Sequence, residues 1–145
     1  LAGRFQVVPG RVEWVFDVAH NEDSVRVLAA NVRAQPPHGR THYVVGLLRD
    51  KDAVAIGRAL APLLQPEDEW IAVGTDGARG LAADALAARL APALGRTPAT
   101  AADVAAGCRL AAAQAREGDR VLVFGSFHTV GPALEWHRLY SAAPR

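Results

Sequence analysis

The sequence contains no methionine, and Lys51 is the single lysine among its sixteen basic residues. With arginine supplying the other basic positions and alanine abundant, this bias reads as GC-rich codon usage rather than as a recognition device. Cysteine occurs once, at Cys108, which excludes an internal disulfide and any multi-cysteine zinc site. A lone thiol suits a reducing cytoplasm, the compartment expected for this chain. Formal net charge is +1 and no basic run occurs, so nothing points to nucleic acid or to an anionic membrane surface. No apolar run approaches the roughly 20 residues of a membrane span, and the segment after Leu1 does not open a signal peptide. With no initiator methionine, residues 1–145 are expected to form one domain, the C-terminal one, of a longer protein.

A phosphate-gripping P-loop is also missing. That motif, GxxxxGK[ST], needs a lysine that reaches the β- and γ-phosphates. Here Asp50 precedes Lys51 where the motif requires glycine. Any ATP-driven chemistry therefore needs a triphosphate site on another domain. The stretch Gly74–Gly80 (GTDGARG) has GxxGxxG spacing instead of GxGxxG, with no acidic residue placed for a ribose after the next strand. It reads as a plain flexible turn.

What is present is an alternation of strand and helix patterns. Half of the residues are hydrophobic, enough to give a domain of this length its own core. Arg4–Val8 and Arg11–Val18 read as strands joined at Pro9-Gly10, a hairpin. Asn21 can cap a helix whose Val25, Leu28, Ala29 and Val32 recur at helical spacing before Pro36-Pro37. His42–Leu48 is an apolar run of the kind buried on both faces of a sheet. Helices are expected from Asp52 to about Leu64, from Leu81 to Leu94 and from Asp103 to Glu117. Trp70–Val73 and Arg120–Phe124 read as further strands, and Thr129–Tyr140 as a last helix. Such alternation implies right-handed crossovers and a mainly parallel, Rossmann-like α/β sheet with helices on both faces and an antiparallel N-terminal hairpin.

Ligands in such sheets sit beyond the carboxyl ends of the strands. The unusual polar residues concentrate there, in the loops Asp17–Asn21, Leu48–Asp52, Gly74–Gly80 and Gly125–Thr129. Asp17 could bind ribose hydroxyls and His20 an anion beside a helix N-terminus; equally, Asp17 could end a strand with His20 merely exposed. Lys51 could touch a phosphate or lie in a solvated loop. Ser126 could cap the last helix and, with nearby amides, hold a carboxylate. A Ser126–His128 nucleophile pair is a poor reading, because GxSxG is absent and neighbours two apart at a helix start do not face one another.

The motifs LAGRFQ at Leu1 and DVAHN at Asp17 resemble the C-terminal domain of the Mur ligase superfamily. Together with VVGLLRDKD, GARG and GSFHTV, they resemble its folylpolyglutamate synthase/dihydrofolate synthase branch, in family order from Leu1 to Val130. Glu22 departs from the pattern, which usually has proline there. The resemblance implies ATP-dependent addition of L-glutamate to dihydropteroate or folates through an acyl phosphate. It also implies an N-terminal domain carrying the P-loop and the magnesium ligands, and a monomer. Arg4 would reach the ATP phosphates and assist catalysis with His20, and Asp17 and Lys51 would contact the nucleotide. His20, Ser126 and His128 would hold the glutamate. The alternatives are a Mur-type ligase for another substrate and a non-catalytic nucleotide-binding or interaction module.

Overall fold

Long apolar runs become strands covered on both faces. In the computed structural model, which describes residues 3–142, Thr41–Gly46 (β3) and Arg120–Gly125 (β6) are buried at every position. They lie side by side in parallel at the centre of a six-stranded sheet. The other strands are Gln6–Val8 (β1), Glu13–Asp17 (β2), Glu69–Val73 (β4) and Ala99–Ala101 (β5). Spatial order is β1-β2-β6-β3-β4-β5. Only the β1–β2 hairpin is antiparallel; every other pair is parallel. The α/β architecture expected from the alternation of patterns is the one observed.

The helices are Glu22–Ala34 (α1), Ala53–Leu60 (α2), Ala83–Leu94 (α3), Val104–Gln114 (α4) and Phe127–Ala142 (α5). Their apolar stripes define two cores. Leu28, Ile56, Leu60, Leu86 and Leu90 from α1–α3 meet Tyr43, Val45, Leu122 and Phe124 on one face of the sheet. Val104, Cys108 and Ala111 of α4 and Val130 and Ala133 of α5 meet Val44, Ile71, Val121 and Val123 on the other. Neighbouring residues of β3 and β6 thus serve opposite cores, the period-2 alternation of a strand.

Several boundaries differ from the sequence expectation. The second helix stops at Leu60 and tightens into a 3₁₀ turn, Ala61–Leu63, containing Pro62. The last helix starts at Phe127, two residues early, and carries Pro132 within it. Strand β5 was not foreseen: Ala-Thr-Ala is short and largely exposed, so it has neither a β-branched run nor a buried face to announce it.

At the amino-terminal end of the sheet, buried polar groups close on one another. The His42 Nε2–H donates to Asp119 Oδ2 at 2.9 Å, and His42 is fully buried. Asp119 also accepts the amides of Arg40 (3.0 Å) and Arg116 (2.9 Å). Burial pushes its carboxyl upward, but the Arg116 amide, His42 and the Arg40 amide together hold it below the usual range. Arg120 donates to Glu13 Oε1 at 2.7 Å and to the Gln35 carbonyl. Asp68 accepts the Thr41 amide at 2.9 Å, and burial raises its carboxyl.

Candidate functional site

The carboxyl end is organised by the strand order. After β3 and β4 the chain returns over the other face through α4, and β6 inserts between β2 and β3. The loop after β6 leads to the opposite face from the loops after β2 and β3. In sheets of this class such an order puts a ligand-binding crevice on each side of the β6 end.

On the β2 side, Asp17 stands in register beside Phe124. Its Oδ2 accepts the Phe5 amide at 3.0 Å and its Oδ1 the Ala19 amide at 2.8 Å. The Val18 amide donates to the Gly3 carbonyl at 2.6 Å. These bonds clasp residues 3–6 onto the strand end. They also hold Phe5 at φ 43°, a conformation that costs a non-glycine residue on the order of 1–3 kcal/mol. Burial raises the Asp17 carboxyl, offset in part by the two amides and by the charge of Arg4. Arg4 itself is exposed at the tip of the clasp. Asp17 thus has a structural duty that sequence reasoning did not foresee, and a carboxylate accepting one bond per oxygen keeps lone pairs for a ligand. Leu1 and Ala2 of the LAGRFQ motif lie outside the described residues.

His20 follows at the start of α1. Its Nδ1 lies 2.8 Å from the Val18 carbonyl, which only accepts, so Nδ1 carries the proton. That fixes the half-buried ring and leaves Nε2 without a partner among the described residues. Asn21 caps the helix: its Oδ1 accepts the Ser24 amide at 2.8 Å, and Ser24 Oγ accepts the Asn21 amide at 3.2 Å. A reciprocal box of this kind holds the positive end of the helix, and His20 with it, at the crevice.

Across β6, Gly125 and Gly46 face each other in register. Gly125 has φ 142°, and a Cβ there would lie 1.8 Å from the Gly46 carbonyl oxygen. The buried Thr129 hydroxyl donates to that same oxygen at 2.8 Å. The Thr129 and Val130 amides donate to the Ser126 carbonyl, and the His128 amide to Ser126 Oγ at 3.1 Å. Ser126 therefore caps α5, as its position suggested. Thr129 was not singled out from the sequence, although it lies within GSFHTV; its bond spans 83 residues.

Lys51 is partly exposed beyond β3, and Asp52 caps α2 by accepting the Ala55 amide at 3.0 Å. Beside it Asp50 pairs with Arg79 at 2.6 Å, tying the β3 loop to Gly74–Gly80. That glycine stretch is a clasped turn. Thr75 Oγ1 donates to the Leu47 carbonyl (3.1 Å) and accepts the Leu81 amide (2.9 Å). His128 is exposed and lines a separate cleft of about 580 Å³ with Thr75, Asp76, Asp103 and Phe127. Arg4, Asp17, His20, Lys51 and Ser126 do not line it. Arg4, Asp17, His20 and Ser126 are gathered at the adjacent ends of β2 and β6, Lys51 sits beyond β3, and His128 is set apart.

The chain belongs to the family described as Mur ligase, glutamate ligase domain, whose model matches residues 3–127. A curated relative, the dihydrofolate synthase/folylpolyglutamate synthase of Escherichia coli K12, is 38% identical over 135 residues, or 93% of this chain and 30% of that one. The solved structure of E. coli FolC in complex with DHPP and ADP superposes with a TM-score of 0.84 at 34% identity, covering 98% of this chain and 32% of that one. A bifunctional folylpolyglutamate synthase/dihydrofolate synthase with Mn, AMPPNP and L-glutamate bound gives 0.80 at 36% identity, over 96% and 32%. The chain thus spans about a third of the length of these relatives.

Proposed function

We propose that this chain is the glutamate-ligase domain of a monomeric, cytoplasmic ATP-dependent ligase that joins L-glutamate to dihydropteroate, to folates, or to both. The observation that carries this reading is the meeting of DVAHN and GSFHTV at the ends of adjacent strands, with the free His20 Nε2 and the Ser126 loop flanking one crevice. In the reaction the acceptor carboxylate is converted to an acyl phosphate with release of ADP. The glutamate amine then attacks the acyl carbon, forming the amide and expelling phosphate.

Each residue has a task that its geometry suits. Arg4, exposed on a clasped turn, would balance charge on the transferred phosphoryl group. Asp17 would use its remaining lone pairs on the nucleotide ribose, and Lys51 would meet a phosphate. His20 Nε2 and the Ser126 hydroxyl would orient the incoming glutamate, with His128 a further contact from the neighbouring cleft. All of this is positioning and charge stabilisation. Among the described residues no group of three or more His, Cys, Asp or Glu is arranged to hold a metal ion. Magnesium, as the resemblance implies, would be held by ligands on an N-terminal P-loop domain of the ligase.

The test is ADP release by the full-length ligase with ATP, magnesium, dihydropteroate and L-glutamate, each omitted in turn. Release requiring both dihydropteroate and glutamate is expected. A response only to tetrahydrofolate with glutamate narrows the enzyme to a folylpolyglutamate synthase, and silence with every folate removes the substrate. In that ligase His20→Ala is expected to lower turnover about 100-fold while costing the domain no more than about 1 kcal/mol of stability. Asp17→Ala should lower turnover and also weaken the clasp by about 1 kcal/mol. Unchanged turnover in both variants would remove the site assignment.

A further inference from the structure

On the face covered by α1–α3, helices α1 and α2 leave a groove of about 460 Å³ between them. Its floor includes the small apolar side chains of Ala29 and Ala59, and Arg26, Arg33 and Arg58 stand around it. Arg26 is held by Glu22 and, at 3.5 Å, by Asp23. Arg33 and Arg58 are exposed and meet no carboxylate among the described residues. Both lie in the last turns of their helices, so the two unpaired guanidiniums come at the same end of the groove. The opposite end begins at Glu22, two residues beyond His20. At the rise of an α-helix, Glu22 to Arg33 is about 16 Å.

Resting on the reading of the chain as part of a folate-glutamating ligase, we propose that this groove holds the oligo-γ-glutamyl tail of the acceptor. A γ-linked glutamate repeat carries one free α-carboxylate and a short aliphatic stem. Guanidiniums take carboxylates in a bidentate fork, and the alanine floor accepts the methylenes. One glutamate would engage a single arginine, whereas a longer tail spans several. Because these contacts are exposed, each adds little alone, and the sum weakens with salt. The groove would therefore distinguish acceptors by tail length.

The experiment titrates fluorescein-labelled γ-linked glutamate, triglutamate and pentaglutamate into this chain at low ionic strength, reading anisotropy. Pentaglutamate is expected to bind about tenfold more tightly than the monomer. Arg33→Glu with Arg58→Glu should weaken pentaglutamate binding about tenfold. Arg109→Glu with Arg116→Glu, the same change in net charge placed on and after α4 over the other face, should leave it within about twofold. Circular dichroism checks that both double variants are folded. Binding independent of length, or weakened equally by both pairs of substitutions, overturns the groove. The proposal and the reading beneath it fail separately. ADP release without length-dependent binding keeps the ligase and loses the groove; length-dependent binding with a silent full-length protein does the reverse.

Discussion

The two ends of the sheet use similar residues to opposite purposes. At the amino-terminal end, His42 pairs with Asp119, Arg120 with Glu13 and the Gln35 carbonyl, and Asp68 takes the Thr41 amide, all within the fold. At the carboxyl end, His20 spends one ring nitrogen on the Val18 carbonyl and keeps the other, and Arg4 and Lys51 stay accessible. A histidine beside a carboxylate is thus not a functional signal by itself. What separates a strut from a site is whether a ligand can reach the capacity left after folding. His42 Nδ1 and one Arg120 nitrogen also lack a partner among the described residues but are buried, whereas His20 is only half-buried. The two carboxylates show it as well: amides and His42 outweigh burial at Asp119, while burial outweighs two amides and Arg4 at Asp17.

The largest expected effect falls at the carboxyl end, where the backbones of β3 and β6 approach most closely. Gly125→Ala would drive a Cβ into the Gly46 carbonyl oxygen at a φ disfavoured for alanine, so denaturant unfolding should show a loss of more than about 3 kcal/mol. Next is Asp119→Ala, which strips a partner from buried His42 and from two amides, for about 3 kcal/mol. If it costs no more than Asp17→Ala, the contrast between the two ends fails.

Its pH dependence sharpens the same contrast. A carboxyl held below its ordinary value contributes stability above that value and loses it as pH falls through the lowered one. The gap between wild type and Asp119→Ala should therefore narrow on acidification below about pH 4. Asp17, raised by burial, gives the opposite trend: the gap between wild type and Asp17→Ala should shrink as pH rises through its raised value, with the amide bonds of the clasp remaining. A gap that widens on acidification would contradict the assignment for Asp119. Smaller still, Thr129→Val should cost about 1 kcal/mol through the lost bond to Gly46, read from thermal melts. At the bottom of the scale, Asp50→Ala breaks an exposed pair with Arg79 and should leave the melting curve unchanged.

Sequence alone determined what depends on near neighbours. Caps at Asn21, Asp52 and Asp103 sit where short polar side chains precede helical patterns, and each accepts an amide three residues on. The run around Val44 had to be a strand covered on both faces and the run around Val123 a further strand, with polar loops at their carboxyl ends. Only the tertiary structure placed β6 between β2 and β3, which opens the crevices, because strand order is set by crossovers and not by any local pattern. It alone could show that Asp17 fastens Phe5 while Thr129 seals Gly46 and Asp119 takes His42. The last two bonds join residues 83 and 77 positions apart, and a hydrogen bond depends on proximity in space, which local sequence does not encode.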